Sequence, residues 1–195
     1  MGFFDTLDSF TASTRQAWRD WLAENHASSP GIWFISYKKT SGKPRVSYEE
    51  AVEEALCFGW IDSKPSKLDD ERYKLAFTPR KPKSVWSKPN KERVERLIAE
   101  GLMTPAGQRC IDIAKENGSW ETLDNVEALI MPTDLADALS ANATAKAYFE
   151  AFSNSVKKGI YYWIESAKRP ETRQKRVNET VRLAEQNKKA NQYQP

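Results

Sequence analysis

The chain has 195 residues, 39% of them apolar and 11% aromatic, which excludes a disordered protein and is enough to bury a real core. The net charge of +3 does not by itself point to nucleic acid, but it is unevenly placed: residues 1–70 carry −3, 71–100 carry +5, 101–150 carry −5 and 151–195 carry +6. No apolar run is long enough for a bilayer, and Asp5 and Asp8 stand where a secretory signal needs cations, so the expectation is a cytoplasmic protein with no membrane partner.

Ser13-Thr-Arg-Gln16 predicts a capping box, opening a helix with Ala17, Trp18, Trp21 and Leu22 on one face. After Pro30-Gly31, the run Ile32-Trp-Phe-Ile-Ser-Tyr37 predicts a strand. A second capping box, Ser47-Tyr-Glu-Glu50, starts a helix that buries Ala51, Val52, Ala55 and Leu56 and stops at Gly59. Trp60-Ile-Asp62 reads as a short strand, residues 63–70 as a polar turn, and Arg72 to Thr78 as the returning strand. Asn90 is the expected cap of the next helix, with Val94, Leu97 and Ile98 as its apolar stripe and Gly101 as its end. Thr104-Pro105 then opens another, closed at Asn117-Gly118. Beyond it the pattern is helical throughout, with Pro132-Thr133 and Pro170 as start signals. The expected fold class is α+β: residues 1–120 form a small antiparallel sheet packed with helices, and residues 121–195 form a helical C-terminal region.

Cys57 and Cys110 are far apart and form no C-x-x-C pair, which suits a thiol-reducing compartment. The only histidine is His26, so zinc, cysteine–histidine and serine–histidine chemistry would all converge on one side chain. No metal, no cofactor and no catalytic set is expected, and Cys57 reads as a buried structural residue.

The stretch FTPRKPKSVWSKPN, residues 77–90, sets four cations on a frame of three prolines with no acid among them. Such a connector holds charges with little ordering cost. Arg80, Lys83, Ser84, Ser87 and Asn90 offer the donors an anion needs. Trp60, Asp62 and Arg72 could supply one wall of the same site. The plainer alternatives are solvated lysines with Trp86 as a core plug, and an Asp62–Arg72 pair that only fixes the hairpin. In the last helix, Lys168, Arg169, Arg173 and Arg176 form a candidate basic surface. It would suit an acidic protein or, less favoured, a nucleic-acid backbone.

Leu56-Cys-Phe-Gly-Trp-Ile-Asp-Ser63, the 77–90 stretch, Gly101-Leu-Met-Thr-Pro-Ala-Gly107 and Ala167-Lys-Arg-Pro-Glu-Thr-Arg173 together resemble the YdeI/OmpD-associated family, whose members are often labelled bacteriocin-protection proteins. The resemblance extends over nearly the whole chain, with a weaker likeness of the N-terminal part to small iron-chaperone-like α+β domains. It implies an association with bacteriocin or envelope-stress tolerance and carries over no catalytic residue. The leading expectation is therefore a non-enzymatic binder of an anionic small molecule or acidic protein through residues 60–90. The alternatives are a small-molecule enzyme using Asp62 with Arg72 or Arg80, and a binder acting through the C-terminal basic helix. Oligomeric state stays open.

Overall fold

Two local signals shape the first part of the chain. Apolar side chains alternate along one strand and recur at helical spacing along the flanking helices, so both must bury a face. In the computed structural model, which describes residues 2–191, they bury it together. The chain divides into two compact units, residues 1–121 and 122–195.

In the first unit a 3-10 turn at Phe3–Thr6 leads to β1 (Ser9–Thr11), α1 (Arg15–Asn25) and β2 (Ile32–Tyr37). Then follow α2 (Tyr48–Cys57), β3 (Trp60–Lys67), β4 (Arg72–Pro79), α3 (Lys88–Ala99) and α4 (Pro105–Glu116). Among the described residues the sheet has four strands in the order β1-β2-β4-β3. It is α+β as expected, but mixed rather than purely antiparallel, because β1 runs parallel to β2. A three-residue edge strand leaves too short a pattern to be read from sequence.

β3 and β4 form a long hairpin with Ile61 opposite Thr78 and Asp62 opposite Phe77. β3 is eight residues long, not three. Pro65 conceals the strand, and it is tolerated because β3 is an edge and the register shifts between Asp62 and Pro65.

The inner face of the sheet meets the helices through aromatic packing. The Trp18 ring lies 4.8 Å from Phe34 and 5.3 Å from Phe77, and the Trp21 ring 5.8 Å from Trp60. The two buried indoles are also hydrogen-bonded: Trp18 Nε1 donates to the Ala51 carbonyl at 3.0 Å, and Trp60 Nε1 to that of His26 at 3.1 Å. Burying rings of this size while pairing their N–H groups makes them anchors rather than ligand contacts.

α4 comes unusually close to the end of α2. A Cβ on Gly107 would lie 2.3 Å from the Cys57 carbonyl oxygen and 2.7 Å from that of Leu56. Gly59 takes φ +75°, and a Cβ there would strike Cys110 Sγ at 2.6 Å. Only glycine fits at either position.

The second unit comprises α5 (Asp124–Glu127), α6 (Thr133–Ser140), α7 (Ala143–Glu150), α8 (Asn154–Glu165) and α9 (Pro170–Glu185). α9 is its hub, packing on α6, α7 and α8. Leu135, Phe149, Ile160, Ile164, Val177 and Ala184 fill its core. No helix among the described residues is long and apolar enough to cross a membrane.

Candidate functional site

The helix caps come first, because they aim the connector. α1 is capped by Thr14, which accepts from Ala17 N at 3.2 Å, not by Ser13. The second capping box stands as expected, with Ser47 and Glu50 each accepting from the other's backbone N–H. α3 begins at Lys88 with Ser87 as its N-cap, so Asn90 lies inside the first turn. There its side-chain carbonyl accepts from Arg93 at 2.7 Å. Pro89, which cannot donate from its backbone, is tolerated only in that first turn, and this moves the helix start forward.

The residues expected to share one wall are distributed differently. Trp60 is 1% exposed and belongs to the core. Asp62 is half-buried and accepts from the Tyr48 hydroxyl at 3.0 Å. Burial, together with that carboxylate, pushes the Tyr48 phenol up to about 12. Arg72 pairs with Asp69 at 2.7 Å, at the far end of the hairpin, so the Asp62–Arg72 pair does not form. The turn at 69–71 supplies a nearer acid: Asp69 also accepts from the backbone of Glu71 and Arg72. Asp62 and Arg72 therefore have separate partners, while Asp62 acts on Arg80 at longer range.

Arg80 is buried at 9% exposure, with its guanidinium 3.7 Å from the Trp86 ring centroid. Its Nη2 donates to the Val85 carbonyl at 2.8 Å. Trp86 is itself fully buried and lies 5.0 Å from the Trp120 ring. Lys83 is exposed, while Ser84 and Ser87 are half-buried.

What the connector does build is a groove. Phe3, Phe4, Pro30, Ile61 and Pro79 form its apolar surface, Ser63, Thr78 and Ser84 bring hydroxyls, and Lys81 is its one charged lining residue. The groove has a volume of about 670 Å³. It lies on the outer face of the sheet, because Ile61 and Thr78 oppose one another and alternate with the inward-facing Phe77. The 3-10 turn is pinned there by Trp33, whose Nε1 donates to the Phe4 carbonyl at 2.8 Å. Two further cations cover the same aromatics: Lys74 lies 4.2 Å from the Trp33 ring and Lys64 lies 5.4 Å from that of Phe4. Sequence reasoning missed Phe3 and Phe4, because the N-terminal turn reaches the hairpin only through the fold; Ile61 and Lys81 lie within the expected 60–90 surface. The signal available was Phe3-Phe4 itself, two bulky rings ahead of any core element.

A second constellation missed by sequence is ionic. Glu53 and Glu54, 7% and 2% exposed, face Arg15 and Arg19 of α1 and Arg96 of α3. Arg15 meets Glu54 at 2.5 Å and Glu53 at 3.0 Å, and Arg19 meets Glu54 at 2.6 Å. Arg19 also donates to the Leu102 carbonyl at 2.8 Å. This network ties α1, α2 and α3 together, and its Arg96 also lines a surface groove with Glu49, Pro89, Glu92 and Arg93.

Burial pushes the Cys57 thiol up to about 11, so it is an inert core residue at neutral pH. No group of three or more metal-ligating side chains occurs among the described residues. In α9, Arg173 binds Asp134 through two hydrogen bonds of 2.6 and 2.9 Å. Arg176 donates to the Trp163 carbonyl and to Ser166. Of the expected basic surface, Lys168 and Arg169 are exposed, while the other two arginines brace the helical unit itself.

Fold and site thus define a small α+β protein with an apolar, basic-rimmed groove, followed by a helical unit. Residues 10–110, just over half of the chain, match the family described as Domain of unknown function (DUF8412), and the chain belongs to that family. Residues 128–187 match the family described as Bacteriocin-protection, YdeI or OmpD-Associated. The resemblance noted from the sequence is therefore real but narrower than expected. It lies in the helical unit and contains only the Ala167–Arg173 motif of the four. No curated protein and no solved structure matches the chain significantly.

Proposed function

We propose that this chain is a non-enzymatic binding protein of the cytoplasm that takes up an anion with an apolar body in the groove beside the 79–84 connector. The observation that carries the reading is the lining itself: phenylalanine, isoleucine and proline surfaces, three hydroxyls, and Lys81 as the one charge. Pockets of this composition hold a ligand by apolar contact and orient it with a few polar groups. A cation would find no counter-charge there. The free thiols Cys57 and Cys110 fit a reducing compartment. The family matched by the helical unit supports a link to bacteriocin protection.

Isothermal titration with octanoate, octanol and inorganic phosphate tests the reading. Octanoate should bind, octanol more weakly, and phosphate not measurably. Phe3→Ala should weaken octanoate and octanol alike, whereas Lys81→Ala should weaken octanoate alone, by about twofold to fivefold for an exposed charge. Binding of phosphate as tight as that of octanoate, or no binding of either, would refute it.

A further inference from the structure

The outer groove has a cation at one end of its lining and two more just beyond the other. Lys81 follows Pro79, past the Trp60–Pro79 pair at the open end of the hairpin. In the opposite direction Lys74 stands opposite Ser66, on the same face as the groove's Thr78 and four residues from it, so about 13 Å of strand separates them. Lys64 sits at the register shift of β3, next to the groove's Ser63. Apolar surface fills the interval. Phe4 lines the groove, its ring lies 6.0 Å from that of Trp33, and Trp33 pairs with Ala76, midway between Thr78 and Lys74.

These three lysines are held differently from the cations at the hairpin turn. There Lys67 pairs with Asp70 at 3.0 Å and Arg72 with Asp69 at 2.7 Å. Among the described residues no carboxylate lies within 4.0 Å of the Lys64, Lys74 or Lys81 ammonium. Lys64 and Lys74 rest instead on the Phe4 and Trp33 rings, at 5.4 and 4.2 Å, which keeps both charges against the apolar floor. A ligand tail running from Lys81 towards Phe4 would press hydrocarbon against these two ammonium groups and strip their water. That costs free energy unless an opposite charge meets them, and a second anionic group at that end supplies it.

We propose that the ligand of the groove is a dianion, an apolar chain with an anionic group at each end, of the class of the long α,ω-dicarboxylates. Lys81 takes one end, and Lys64 with Lys74 takes the other. The assignment rests on the groove as the binding site and adds the second charge and the residues that meet it. The Phe4 and Trp33 rings position the two lysines, and the hydroxyls of Ser63 and Thr78 lie between the poles.

Isothermal titration of the full chain with sebacate and with its monomethyl ester tests this, since the two share a chain length and differ by one charge. At low salt sebacate should bind about fourfold to twentyfold more tightly, for two partly exposed cations, and high salt should shrink the advantage. Lys64→Met/Lys74→Met keeps the apolar stems and removes both charges. It should bring sebacate down to the affinity of the ester and leave the ester, held by Lys81, unchanged within about twofold. An ester that binds as tightly as sebacate to the wild type would keep the groove as a site for amphipathic anions and overturn the dianion. An advantage of sebacate that survives in the double variant would equally overturn it, because the second charge would then be met elsewhere. Binding of neither compound would overturn both readings. The wild-type comparison decides by itself if the double variant does not fold.

Discussion

Replacing Glu54 by glutamine keeps the shape of the side chain and removes one charge from the network that joins α1 to α2. In the wild type each carboxylate oxygen meets a different arginine, at 2.5 and 2.6 Å, and only 2% of the residue is exposed. Breaking a fully buried ion pair costs about 3–5 kcal/mol, because the partner's charge is left without compensation. Arg15 and Arg19 retain 33% and 26% of their side-chain surface, so water takes up part of that charge. The expected loss is accordingly about 2–3 kcal/mol. Urea unfolding followed by tryptophan fluorescence suits the test, because six of the seven tryptophans lie in residues 1–121. A Glu179→Gln control removes the exposed Glu179–Arg182 pair and should leave the midpoint in place. A loss below about 1 kcal/mol for Glu54→Gln would refute the reasoning, since the network would then be no stronger than a surface pair.

Gly107→Ala should be among the most damaging single-methyl additions. Its Cβ would meet two backbone oxygens, so the start of α4 would have to move away from α2, and the midpoint of the first unit should fall by several degrees in a thermal scan. In the second unit, Arg173 and the Leu135 N–H hold the Asp134 carboxyl below its ordinary value of 3.8. A depressed folded value contributes stability that is present above 3.8 and lost as pH falls through the lower folded value. Unfolding of the second unit, followed by amide exchange of α6 and α9 between pH 5 and the acid limit, should therefore show acid weakening that Asp134→Asn largely removes.

The elements legible in the sequence were those specified by two signals at once. Ser47 and Glu50 combine a capping hydroxyl with a carboxylate at the right spacing, and the structure closes both bonds. Thr104 with Pro105 works in the same way at α4. A single signal was weaker: Ser13 and Thr14 both qualify as caps, and only the path of the backbone selects Thr14. Long-range charge pairing was not legible. Arg72 could be matched on paper with Asp62, but the turn presents Asp69 three residues away. The burial of Glu53 and Glu54 was not legible because their partners lie 35 or more positions away, on α1 and α3. The clue was that Ala51, Val52, Ala55, Leu56 and Cys57 surround them, leaving α2 no wet face beyond its first turn. The groove escaped for the same reason, since Phe3 and Phe4 meet the hairpin only after the sheet has formed.

The central claim is that Lys81 and the apolar surface beside it recognise an amphipathic anion. The most direct measurement is octanoate titrated into the wild type and Lys81→Glu at low and at high salt. Wild-type binding that weakens with salt, together with a clear loss in the variant at low salt, is the predicted result. Equal affinity of the two proteins at both salt concentrations would contradict it.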